Sequence, residues 1–135
     1  MPVINPSECN IFVQIWVDTN ALQNGSTNGV YLVDSNYNNG SSEEGTASLK
    51  TYATTNSKIC WQILNTNINS DVTLSIQNFG NASVFGAGGT PQQYSSTIWT
   101  GQVQANGKAD YSITFNVVKG VGISTTVCPT LYVHS

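Results

Sequence analysis

The chain has 135 residues, 39% of them hydrophobic and only 8% charged, with a formal net charge of -3. That length suits one domain able to bury a core without metal or disulfide staples, and the composition excludes a highly charged disordered chain. The cations are Lys50, Lys58, Lys108 and Lys119, with no arginine anywhere, so no basic patch or guanidinium fork exists for phosphates and nucleic acid is excluded as a partner.

In chain order, residues 1–8 carry neither a basic nor an apolar stretch, so no signal peptide is expected. No run approaches the length of a membrane-spanning helix. The expected location is the cytoplasm or an intracellular inclusion, with non-classical release as the alternative. Residues 11–18 alternate: Ile11, Val13, Ile15 and Val17 share one face, while Phe12, Gln14, Trp16 and Asp18 share the other. That period of two predicts a strand with one buried face. Asp18 or Thr19 can cap a short helical turn over 18–23. Further strands are predicted at 30–33, 46–52, 58–64, 72–77, 97–104, 111–117 and 131–133, with a weaker one at 82–85. Between them lie Asn24-Gly25, Asn28-Gly29, Asn39-Gly40 and Asn106-Gly107, residue pairs that tolerate the positive φ of tight reversals. About eight strands with no long helix predict an all-β fold, an antiparallel two-sheet β-sandwich of jelly-roll-like form. Residues 1–135 read as a single β-sandwich domain.

Catalytic machinery is scarce. The sole histidine, His134, is the penultimate residue, where a triad would rest on a fraying end. Cys9, Cys60 and Cys128 are odd in number and widely spaced, fitting neither a zinc motif nor a complete disulfide framework. Cys60, among Ile59, Trp61 and Ile63, reads as a small buried hydrophobe. Pairing of Cys9 with Cys128 stays open. Glu43 and Glu44 are neighbours that would point to opposite faces of a strand and read as an acidic turn. Asp18, Asp34, Asp71 and Asp110 fall at strand ends, where aspartate caps turns. No enzyme activity, metal or cofactor is expected; calcium held by Asp18 or Asp34 with asparagine side chains is the one cation site left open. The glycine-rich segment 86–89 lacks the lysine and following helix of a phosphate-binding loop and reads as a flexible connection.

Surface polarity must therefore come from Asn, Ser, Thr, Gln and Gly, which hydrogen-bond well but repel copies of the chain weakly. Trp61 shares its alternation with Ile59 and Ile63 and belongs in the core. Trp99, among Ser95, Ser96, Thr97 and Thr100, could stack on a sugar ring while amides bind its hydroxyls. The candidate ligand-binding residues are Trp99, Asp18 and the amide-rich run Asn36, Tyr37, Asn38 and Asn39.

The landmarks occur in a telling order. Val17-Asp18 closes the opening strand, followed by Tyr31-Leu32-Val33, Gly45-Thr46-Ala47-Ser48-Leu49, Ile59-Cys60-Trp61 and Trp99-Thr100-Gly101. This order resembles the inclusion-body protein family typified by PixA and AidA. The family's Asp-Pro step before the closing strand is here Cys128-Pro129, and the chain is shorter than typical relatives. The resemblance implies a bacterial, β-rich protein of intracellular inclusions, with quorum-regulated expression or host interaction and no catalytic residues to carry over. Together with the low charge, it sets the leading expectation: a non-catalytic, self-associating homo-oligomer or higher assembly. The alternative is a lectin, with a glycan held by polar loops and Trp99. A membrane-active toxin ranks below both, for want of an amphipathic helix or a cationic aromatic patch.

Overall fold

Alternation in the first strand is realised in full: Ile11, Val13, Ile15 and Val17 are buried, while Phe12 lies 44% exposed on the opposite face. The computed structural model describes residues 3–19, 29–67, 69, 72–80, 83–86, 88–119 and 121–134. The helical turn expected over 18–23, apart from Asp18 and Thr19, and the Asn24-Gly25 reversal lie outside the described residues.

The strands are β1 (Ile11–Val17), β2 (Val30–Asp34), β3 (Lys50–Thr54), β4 (Lys58–Asn65), β5 (Thr73–Gly80), β6 (Gln92–Gln93), β7 (Ile98–Gln102), β8 (Gly107–Asp110), β9 (Ser112–Lys119), β10 (Val121–Val127) and β11 (Thr130–His134). They form one five-stranded sheet, β2-β1-β4-β7-β6, and two three-stranded sheets, β10-β9-β5 and β3-β11-β8. The fold is thus the expected all-β sandwich, with corrections of detail. Among the described residues there are eleven strands rather than eight, in three hydrogen-bonded sheets rather than two. Two pairings, β1 with β4 and β11 with β3, are parallel. Side-chain alternation is the same in both kinds of ladder, so a sequence pattern cannot report strand direction. The segment 46–52 enters a strand only at Lys50; Thr46 makes an isolated bridge to Leu32. The weak strand at 82–85 is instead a 3-10 turn, Ser83–Phe85, that buries Val84 and Phe85. Its short apolar pair is compatible with either structure.

The sheets share one hydrophobic core, and its centre is aromatic. Trp61 of β4 is fully buried and meets Phe79 of β5 at 4.8 Å between centroids and Tyr111, just before β9, at 6.0 Å. Its indole N–H donates to the Tyr111 hydroxyl at 3.1 Å. Ile113, Phe115 and Val117 of β9 carry the same buried face onward.

Burial pushes the Tyr111 phenol well above its ordinary value, against the weaker pull of the Trp61 hydrogen bond. Burial, then the neighbouring Cys60, likewise pushes the Cys9 thiol up from 9.0 to about 11, and burial raises Cys60. Each group is held neutral by the fold, so its contribution is complete below its unfolded pKa and is lost as pH rises through the folded one. Thermal melts in reductant should therefore show a midpoint steady from neutral pH to about pH 8.5 and falling above about pH 9. A midpoint unchanged to about pH 11 would contradict this assignment.

Candidate functional site

At the end of β2 the chain turns through a set of amide contacts. Asp34 accepts from the Asn36 backbone N–H at 2.9 Å, an Asx turn that leads into the 3-10 segment Tyr37–Asn39. Gly40 then closes the turn with φ 114. A β-carbon there would come within 2.9 Å of the Tyr52 ring, so glycine serves both the backbone angle and the close approach. The Asn36 side chain is held at both ends: its oxygen accepts from the Asn39 amide at 2.7 Å, and its own amide donates to the Tyr52 carbonyl.

Opposite stands the turn between β3 and β4. Thr55 N–H donates to the His134 carbonyl at 2.9 Å, and Ser57 N–H donates to the Thr54 carbonyl at 3.0 Å. Asn56 sits at φ 76, a left-handed conformation that asparagine tolerates better than most residues. Its backbone N–H is bound by the Val103 carbonyl at 2.6 Å. The turn is therefore tied to both the five-stranded and a three-stranded sheet. Between these walls lies an open cleft of about 630 Å³, bordered by Asn10, Asn36, Asn39, Asn56, Tyr52 and His134 among others. Among the described residues no Lys, Asp or Glu lines it.

Of the residues singled out in the sequence, the structure brings Asn36 and Asn39 into this cleft. Tyr37, 69% exposed, and Asn38 occupy the same 3-10 turn but do not border it. Asp18 follows β1, its N–H bound by the Gly29 carbonyl at 2.7 Å. Trp99 lies in β7, half-buried, with its ring 5.3 Å from Phe79 and its N–H donated to the Ile76 carbonyl at 3.2 Å. Tyr52 and Asn56 are not among the candidate residues read from the sequence, and His134 is considered there only as a catalytic group. Asn56, in a Thr-Thr-Asn-Ser run between two strand patterns, carried at least a turn signal.

Behind the cleft, Asp34 is fully engaged, since its second oxygen accepts from the Thr51 hydroxyl at 2.7 Å. Glu44 Oε1 accepts from the Asp34 N–H at 2.8 Å, while Oε2 is shut away from solvent without a partner. Burial, together with the Asp34 carboxylate, raises the Glu44 pKa above 4.5. Among the described residues no group of three or more His, Cys, Asp or Glu comes together. Glu44→Gln keeps the acceptor for the Asp34 N–H, removes the strained charge and offers an amide donor to the Asp34 carboxylate. The sign follows from linkage: the neutral form is the favoured one, so the stabilising contribution is present below the ordinary carboxylate range and lost as pH rises. The variant should melt higher than the parent near neutral pH and no higher below about pH 4. A lower midpoint at neutral pH would count against a raised Glu44.

The cysteines are all free; Cys60 is buried and Cys128 exposed. The thiol that acts on Cys9 is that of Cys60, while the Cys9 Sγ itself donates to the Asn5 carbonyl at 4.0 Å.

Among the described residues no helix is long and apolar enough to cross a membrane. No curated protein matches the sequence. The chain is similar in shape to the crystal structure of the inclusion body protein PixA from Burkholderia cenocepacia J2315, with a TM-score of 0.69 over 96% of this chain and 99% of that one, at 13% sequence identity. The landmark order of the sequence pointed to that same fold. A family model described as a domain of unknown function, DUF8788, matches residues 9–122, and the chain belongs to that family.

Proposed function

We propose that this protein is a non-catalytic, self-associating protein of intracellular inclusions, and that copies join through the outer edge of β10. The observation that carries the reading is the contrast between β10 and the other sheet edges. β2 is flanked by the Thr46 bridge to Leu32. β6 is two residues long, and β8 is a short Gly-Lys-Ala-Asp segment with two charges. β3 begins at Lys50, which already bridges to Ser42. β5 carries a register shift between Ile76 and Asn78, and Ile76 N–H is taken by the Ser96 carbonyl at 2.9 Å. Each of these is a known means of blunting an edge.

Among the described residues β10 shows none of them. Its seven residues, Val-Gly-Ile-Ser-Thr-Thr-Val, carry no charge and no proline, and among the described residues only β9 pairs with it. A long uncharged edge rich in β-branched residues is a template for another strand. A net charge of -3 offers little repulsion between copies. The inclusion-body name of the structurally similar PixA protein agrees with this reading.

Light scattering across a concentration series tests it. The parent should grow from small species into large assemblies. Gly122 is the site for a blocking variant, because an added β-carbon meets nothing within 4 Å. Gly122→Lys places a charge on the edge and should hold the protein as small species at the same concentrations. A strictly monomeric parent would sink the reading, as would equal growth of parent and variant.

A further inference from the structure

We infer that the cleft between the Tyr37–Asn39 turn and the β3–β4 turn is a binding site for a neutral, polyhydroxylated ligand, a sugar unit. The inference is independent of the β10 edge. At about 630 Å³ the space falls within the range of small-molecule sites, roughly 300–1,000 Å³. Its chemistry selects the ligand class by elimination. Among the described residues no Lys lines it and the chain has no arginine, so a phosphate or carboxylate would find neither an ammonium nor a guanidinium fork, and His134 would be its one side chain able to carry a positive charge. With no Asp or Glu lining it among the described residues, a metal ion would lack its hard anionic ligands. Four asparagines, Asn10, Asn36, Asn39 and Asn56, make it too polar for a lipid tail.

Amides are what remains, and they suit hydroxyls. One carboxamide supplies two donors and an acceptor, and a sugar hydroxyl both gives and takes a hydrogen bond. The frame is set in advance, which limits the entropy lost on binding. Asn36 is locked by Asn39 and the Tyr52 carbonyl. Tyr52 is braced by Tyr132 at 4.9 Å between centroids and by the close approach of Gly40. The Asn56 turn is fixed at both flanks by the His134 and Val103 carbonyls. Within this frame the Asn39 oxygen and the Asn56 side chain make no hydrogen bond to another described residue, leaving both for a ligand.

The test is a panel of free glucose, galactose, mannose, N-acetylglucosamine and fucose, titrated into the labelled protein and followed by amide NMR shifts. At least one sugar should move the Asn39, Tyr52 and Asn56 signals in a saturable way. Asn56→Gly keeps the positive φ while removing the amide, and Asn39→Ala removes the other free group. Each should weaken that sugar at least about fivefold, the scale of one lost hydrogen bond, while the remaining spectrum reports an intact fold. The inference is overturned if no sugar shifts these signals, or if both variants bind as the parent does. It is equally overturned if Trp99→Phe abolishes binding that the cleft variants leave untouched.

Discussion

Trp61→Ala is expected to destabilise the fold by about 3–5 kcal/mol, a large share of the roughly 5–15 kcal/mol that holds a domain together. Trp61 is fully buried, and its ring is met edge-on by Phe79, Phe85 and Tyr111 at 4.8 to 6.0 Å. Truncation leaves a cavity where sheets meet, and it strips the buried Tyr111 hydroxyl of its donor at 3.1 Å. Tyr111→Phe separates the two effects. It keeps the ring and leaves only the indole N–H unpartnered, which costs about 1–3 kcal/mol. Urea unfolding should rank parent, Tyr111→Phe and Trp61→Ala in falling order of midpoint. Equal midpoints for parent and Trp61→Ala would show that the aromatic cluster is not the centre of the core.

Gly89→Ala should be nearly as damaging, by about 3 kcal/mol, although one methyl is all that is added. An alanine β-carbon would fall on the carbonyl oxygens of Gln102 and Phe85, both of them backbone atoms that no rotamer change can move aside. The same glycine binds β7 and the Ser83–Phe85 turn: Gln102 N–H donates to its carbonyl at 2.9 Å, and its own N–H donates to Phe85 at 3.1 Å. Gly122→Ala is the matched control, open to solvent with nothing near its β-carbon, and should unfold close to the parent. Comparable losses in the two variants would mean that this close approach does not set the effect, since unfolded-chain entropy alone favours alanine at both sites.

Gly89 also marks a limit of the sequence pattern. The run 86–89 reads as a flexible connection, yet Gly89 is buried and bonded to β7, and Pro91 just beyond it is buried too. Composition reports that glycine permits close approach, but not what it approaches. The clear alternation of β1, β4 and β9 made those strands legible. β10 was not, although Val121, Ile123 and Val127 alternate with Gly122, Ser124 and Thr126, because Thr125 breaks the apolar row and glycine and serine also mark loops. β8, Gly-Lys-Ala-Asp, has no apolar pattern and exists through its pairing with β11.

The candidate cleft shows the same division. Asn36 and Asn39 stand out as a local amide run, whereas Tyr52 meets them through the Asn36 amide and the close approach of Gly40, and His134 joins because parallel pairing places β11 beside β3. That pairing sets residues 130–134 beside residues 50–54, and no local window contains it. For Trp99, the polar neighbours in sequence say nothing of Phe79 and the Ile76 carbonyl, which its ring meets in space.

The central claim is that copies join along β10, and amide hydrogen exchange tests it most directly. Exchange should be compared residue by residue between the dilute chain and its concentrated assembly. Outward-facing amides of β10 should gain protection on assembly, and Gly122→Lys should abolish that gain. Unchanged exchange along β10, with new protection at β2 or β5 instead, would contradict the account and place the contact on another edge.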